Sequence, residues 1–191
     1  PDSLLYIKQE AFFAQRNLKN INLPDSIVEI GYQAFHASTE SGNMQLNISK
    51  LPASLVDLGS GAFYKGGSNL TITELPSGVK ILSGNTFAFC PKVAITSFGS
   101  RDGSGLTSIG NYDFYAAGKE ATAPNTVTFF DSVSDVQIAT AFDGDSYLSR
   151  VGNIYIYNEN LWNAISADNN NDGSQDGIQG VPINNISYVG G

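Results

Sequence analysis

The chain is expected to fold as a β-rich α/β solenoid, with one parallel strand per repeat, short helical or 3₁₀ turns and a C-terminal cap. Three observations predict it. A phenylalanine returns at Phe12, Phe35, Phe63, Phe87, Phe114 and Phe142, at intervals of 23, 28, 24, 27 and 28 residues. Eleven residues before each of the first five stands Pro1, Pro24, Pro52, Pro76 or Gly103. Between these marks run aliphatic columns in register. Such a period is the signature of stacked units, because one unit cannot bury its apolar face alone and identical positions in its neighbours complete the core.

Each column has a packing reason. Three places after the Pro or Gly come Leu4, Ile27, Leu55, Val79 and Leu106, and six places after it Ile7, Ile30, Leu58, Leu82 and Ile109. These stack into the core. Place seven is Gly31, Gly59 and Gly110, with Lys8 and Ser83 as exceptions. It marks positive φ or a close backbone approach. Place ten is small (Ala11, Ala34, Ala62, Thr86) except for Asp113. The stretch from place seven to the Phe reads as one helical or 3₁₀ turn. After each Phe an alternating run follows, as in Leu18–Leu23, Leu46–Ile48, Leu70–Ile72, Val93–Ile95 and Val127–Phe129. Its period of two predicts a half-buried strand, stacked in parallel on its neighbours. Ile27–Ile30 and its equivalents read as a second short strand or extended arm. In the sixth unit Val133 and Val136 stand one residue out of step with Phe142.

The runs LPDSIVEIGYQAF (residues 23–35) and LPASLVDLGSGAF (residues 51–63) carry a further signal. They resemble the BspA-like leucine-rich repeat of bacterial surface proteins, whose pattern is LPxxLxxIGxxAFxxC followed by LxxIxIP. Units one to three match closely. Unit four keeps Leu75, Phe87 and Cys90 but has Ser83-Gly-Asn-Thr86 in place of the Gly-x-x-Ala; unit five lacks the Pro. The resemblance covers about the first 157 residues. It implies a leucine-rich-repeat solenoid, and a non-catalytic surface for adhesion or protein binding.

Composition narrows the function. The 191 residues suit a single domain, 1–191, with repeats to about 152 and a cap over 153–191. Hydrophobic residues are 41% and charged residues only 15%, with net charge −8. That mix suits a secreted or cell-surface protein, and a monomer is expected. Scattered basic residues exclude a nucleic-acid partner, which needs clustered Lys and Arg. No apolar run reaches the length of a membrane helix. The chain opens inside a repeat at Pro1, so an export signal is expected to lie outside it. In the cap, a strand at Asn153–Tyr157, a helix over Glu159–Ala167 capped by Asn158, and a last strand at Ile183–Val189 are predicted. Leu161, Trp162 and Ile165 should face inward.

Catalytic chemistry finds little support. Cys90 occupies a small-residue column and reads as a buried structural thiol. His36, the one histidine, belongs to a unit two steps away, beyond proton-transfer reach of Cys90. A hydrolase built on paired carboxylates such as Glu74 and Asp131 would depend on their separation. The column after the Phe holds Phe13, His36, Tyr64, Ala88 and Tyr115. Phe13, His36, Tyr64 and Tyr115 form a broken aromatic stripe. It either anchors a partner or seals the groove between repeats. Length differences fall mostly after the Phe, in His36–Met44, Tyr64–Asn69 and Tyr115–Thr126, which places insertions on one face. The loop Gly99–Gly105, with Arg101 and Asp102, is separate. Asp168, Asn170, Asp172, Ser174 and Asp176, with Gly173 at place six, match the front of an EF-hand-type Ca²⁺ loop. Gln179 stands where a bidentate Glu belongs, and Asn-Asp-Gly also makes an ordinary turn. No cofactor is expected beyond a weakly held Ca²⁺ at that loop. The function expected is therefore binding of an extracellular protein. A glycan, bound with or without calcium, is the alternative.

Overall fold

A computed structural model describes residues 2–15, 17–37, 44–67, 69–137, 140–167, 178, 181 and 183–190. The chain winds as a β-solenoid in which each unit stacks on the one before. The six ladder phenylalanines lie on one another through the whole stack. Successive centroids are 5.1, 5.3, 5.7, 5.7 and 5.1 Å apart, and no pair is tilted by more than 23°. Offset stacking at this distance is favourable in itself, beyond the area buried. The aliphatic columns close around them, and the buried apolar residues form one cluster from Ile7 to Ile186.

The turn around each Phe is where the units are joined most regularly. Amides two before, at, and two after the Phe donate to carbonyls of the following unit. Glu10, Phe12 and Ala14 bond to Tyr32, Ala34 and His36; Gln33, Phe35 and Ala37 bond to Ser60, Ala62 and Tyr64. The third and fourth junctions repeat this, and at the fifth Phe114 and Ala116 bond to Ala141 and Asp143, with all lengths 2.8–3.0 Å. Intervening amides close i to i+3 turns inside their own unit, as Phe13 does to Glu10 and His36 to Gln33. The backbone achieves this by left-handed residues on both sides of the Phe. Glu10, Gln33, Gly61, Asn85 and Tyr112 precede it by two, and Ala14, Lys65, Phe89, Ala116 and Gly144 follow it by two, all with φ between 51 and 70°. The turn thus has the expected i to i+3 bonds but is not helical, because left-handed residues bracket it.

The second ladder lies on the arm. Strands β1 (Tyr6–Ile7), β2 (Glu29–Ile30) and β3 (Asp57–Leu58) form one parallel sheet. β4 (Ile81–Leu82), β6 (Ser108–Ile109) and β8 (Asp135–Val136) form another. Here the later unit also donates to the earlier, as Gly31 does to Ile7 and Gly59 to Ile30, both at 2.8 Å. The place-seven glycines serve close approach rather than positive φ. A Cβ on Gly31 would lie 2.7 Å from the Gln9 amide nitrogen, and one on Gly59 would lie 2.4 Å from that of Tyr32. Between β3 and β4 the sheet is interrupted, and that is where Ser83 replaces the glycine. The side chain at Ser83 holds the arms apart while the turn ladder passes through unbroken.

Unit four departs from the repeat at Ser83–Thr86, and Asp113 of unit five compensates. Its buried carboxylate accepts from the amides of Gly84 and Thr86 at 3.0 Å and of Gly110 at 2.7 Å. Burial nevertheless raises its pKa, outweighing these bonds. The sixth unit is not slipped in its arm, since Val136 pairs with Ile109 in the common column. The extra residue comes after Val136, and the Ala141 amide reaches back four residues to Gln137 rather than three.

The runs after the Phe alternate buried and exposed as expected, but a regular ladder forms only in the later ones. β5 (Ser97–Phe98), β7 (Thr126–Phe129), β9 (Asn153–Ile156) and β10 (Ile186–Tyr188) make a parallel sheet in the order β10-β9-β7-β5. Earlier runs share one or two bonds, from Asn47 to Lys19, from Thr71 to Ile48, and from Ala94 to Ile72 with Thr96 to Thr73. The loops feeding them differ in length, so their registers drift. The helix α1 (Glu159–Ser166) starts where expected, with Asn158 Oδ1 accepting from the Leu161 amide at 2.9 Å. Leu161 and Ile165 are buried, and Trp162 stacks on Tyr188 at 5.9 Å.

Two substitutions test these joints in urea denaturation. Gly59→Ala forces a Cβ onto the Tyr32 backbone and should cost about 2–3 kcal/mol. Asp113→Ala strands three amides and should cost about 3 kcal/mol or more. Asp113→Asn, which keeps the Oδ1 bonds, should recover most of that loss.

Candidate functional site

The residues after Phe12, Phe35, Phe63 and Phe114 turn to the outside of the same edge. Phe13 and His36 stack at 5.0 Å and 15°, and His36 and Tyr64 at 4.5 Å and 10°. Tyr115 lies further along. The gap left by Ala88 is filled by Phe89, one residue on, at 5.5 Å from Tyr64 and 5.1 Å from Tyr115. Ala88 is buried, and the left-handed φ of 58° at Phe89 swings its ring outward. Tyr112 meets Tyr115 edge-on at 5.7 Å. The broken stripe read from the sequence is therefore a continuous ridge. Phe89 and Tyr112 were missed because they stand outside the aromatic column. The adjacent Ala88-Phe89 pair, with its two residue types exchanged, was the signal for the first.

Two chemical features follow from this arrangement. Along Phe13, His36 and Tyr64 the ring faces are turned toward one another, so the partly buried rings show mainly their edges. At Phe89 and Tyr112 the rings tilt away, leaving 36% and 42% of these residues exposed. Lys65 places its ammonium over both Tyr64, at 5.5 Å, and Phe89, at 5.3 Å, within cation–π range. Burial between Phe13 and Tyr64 lowers the His36 pKa; its own backbone hydrogen bond and Glu10 oppose this and Lys65 adds to it. Burial also raises that of Tyr64. The Gly144 backbone packs against the Tyr115 ring, which leaves no room for a Cβ there.

The remaining candidates do not meet. Cys90 is buried, donates from Sγ to the Phe63 carbonyl at 2.9 Å, and has its pKa pushed up to about 12 by burial. It is a packing residue, and His36 lies on the outer ridge. Glu74 borders a shallow pocket with Lys50, Leu51 and Pro76. Asp131 follows β7, where its carbonyl accepts from Asn158. The β5 strand separates their runs, which puts them about two strand spacings apart, roughly 10 Å. Among the described residues no three His, Cys, Asp or Glu side chains gather as a metal site. Asp168, Asn170, Asp172, Ser174 and Asp176 lie outside the described residues. Of the insertions, 116–124 is tied down. Gly118 bonds to Cys90, and Glu120 and Ala121 bond to Pro91. Arg150 holds the Gly118 and Ala121 carbonyls. In the Gly99–Gly105 loop, Arg101 lies 4.5 Å over the Tyr157 ring and bonds to its hydroxyl at 2.8 Å.

The described residues thus form a stacked-repeat solenoid with an aromatic ridge along one edge. The family model described as "BspA type Leucine rich repeat region" matches the chain, in 6 copies and over residues 1–49. Over those residues the chain is similar to BspA-type leucine-rich repeats, a family that suggests a protein-interaction repeat domain and is typically non-catalytic. No match was found among curated proteins or among solved structures. No helix among the described residues is long and apolar enough to cross a membrane.

The ridge carries its own pH signature. His36 has a depressed pKa when folded, so the unfolded chain binds its proton first as pH falls below about 6.5. Stability should fall through that window and level off below the folded pKa. Urea midpoints measured from pH 7.5 to 5 should show this decline in the wild type and lose that component in His36→Phe.

Proposed function

We propose that the protein is a bacterial cell-surface or secreted interaction protein that grips an extracellular protein through the ridge formed by Phe13, His36, Tyr64, Phe89 and Tyr115. The orientation of the rings carries this reading. A sugar stacks on an open aromatic face, and along the first half of the ridge those faces are taken up by neighbouring rings. Ring edges, with Lys65 beside them, suit the carbonyls, carboxylates and apolar side chains of a protein surface. The scaffold beneath is rigid, so aromatic anchors lose little entropy on binding. Phe89 and Tyr112, whose faces are more open, support the glycan alternative at the far end of the ridge. The low charge content and the likeness to BspA-type repeats support an extracellular setting.

Arrays of purified extracellular proteins and of glycans, probed with the wild type and with a Tyr64→Ala/Phe89→Ala variant, test this reading. The expected result is a protein ligand whose affinity falls at least about tenfold in the variant, with circular dichroism unchanged. Binding to glycans alone, or protein binding untouched by the variant, would overturn it.

A further inference from the structure

A second concave site lies on the face of the alternating runs and uses no residue of the ridge. Two neighbouring runs make its floor, through Thr71 and Thr73 of unit three and Ala94 and Thr96 of unit four. The Ala94 amide bonds to the Ile72 carbonyl at 3.0 Å and the Thr96 amide to that of Thr73 at 3.2 Å, which joins the two runs. The hollow has a simple origin. The middle residue of the run is Asn47, Thr71, Thr128 or Tyr155 in units two, three, five and six, and in unit four it is Ala94. Glu120, Thr122 and Pro124, from the insertion that follows Tyr115, wall the hollow. The cleft between wall and floor has a volume of about 370 Å³, which is the size of a small-ligand site.

Backbone bonds fix the wall against the floor. The Glu120 and Ala121 amides donate to the Pro91 carbonyl at 2.7 and 3.1 Å, one residue ahead of Lys92. Buried Tyr147 ties the two parts together: its amide donates to the Ala117 carbonyl and its hydroxyl to that of Ile95, both at 2.8 Å. A Cβ on Gly118 would lie 2.6 Å from the Tyr147 Cβ, so the root of the wall is packed without slack. Lys92 and Glu120 both line the cleft. Among the described residues the one ion pair joins Lys8 to Glu29. The Lys92 ammonium and the Glu120 carboxylate therefore pair neither with each other nor with another described charge. The rest of the lining is threonine, alanine and proline, with no aromatic ring.

We propose that this cleft binds a small zwitterion, an α-amino acid or a dipeptide, with its carboxylate on Lys92 and its ammonium on Glu120. A ligand of one sign would leave the opposite charge unmatched, whereas a zwitterion makes a charge-assisted bond at each end. A sugar would find no ring to stack on. The methyl groups of the threonines and the hollow over Ala94 suit a small aliphatic side chain, and the threonine hydroxyls can meet the polar atoms of the ligand. Because wall and floor are already joined, little ordering accompanies binding.

The test follows the backbone amide shifts of the full chain by NMR as L-alanine or L-alanyl-L-alanine is added, each in free, N-acetylated and C-amidated form. At least one free probe should give saturable shifts at Thr73, Ala94, Thr96 and Ala121, with a Kd of about 1–10 mM. Whichever of the two binds more tightly tells amino acid from peptide. Acetylation and amidation should each weaken binding at least about threefold. Glu120→Gln should remove the effect of acetylation and Lys92→Met that of amidation, while Lys50→Ala, on another part of the surface, should change neither. The blocked probes need no variant, so the outcome does not depend on how the variants fold. Absence of saturable shifts in the cleft, equal binding of free and blocked probes, or unchanged discrimination in both variants overturns the proposal. Saturable shifts there with N-acetylglucosamine alone also overturn it and give the cleft to a sugar.

Discussion

The structure depends on one constraint, the one-way hydrogen-bonded ladder that runs through the turns beside the phenylalanine stack. Left-handed residues two before the Phe, and in most units two after it, turn alternate amides toward the next unit, and intervening amides close turns within their own. Amides of this edge are thereby paired between units or within them, although the edge is neither helix nor strand. The spacing of the units follows from it. Rings fixed at the centre of the ladder are held about 5–6 Å apart, where they stack. The arm ladder is subordinate: it is absent between β3 and β4, and the stack continues.

That hierarchy explains how the repeat tolerates its own irregularities. Ser83 breaks the arm but leaves the turn. Asp113 intrudes into a column of small residues and is retained because it replaces turn bonds that unit four cannot make. The extra residue in unit six is absorbed between Val136 and Phe142, so the arm keeps its register. In each case the deviation falls on the arm or beside the turn, and the Phe ladder is unaffected.

The same edge carries the candidate binding ridge, and the coupling is direct. In four of the units the residue that follows the core Phe lies on the outer side of the turn, so an ordered core stack produces an ordered outer row. Phe13, His36, Tyr64 and Tyr115 inherit their spacing from the ladder rather than from contacts with any ligand. The row is consequently rigid and pre-positioned, which suits recognition. Its partial burial also couples the ionisation of His36 to folding.

The period, the core columns, the buried state of Cys90 and the C-terminal helix with its Asn158 cap were legible in the chain itself. They depend on residue type at a fixed spacing, which sequence displays directly. Tertiary structure alone decided the rest. The left-handed backbone is invisible in residues such as Glu10, Gln33 and Lys65, which have no intrinsic preference for positive φ and adopt it where the neighbouring unit accepts their amides. Which of the two extended segments forms regular strands depended on register between units, and unequal loops set that register. Phe89 joins the ridge only because a left-handed backbone turns it out of its column, a rotation that no spacing in the sequence records.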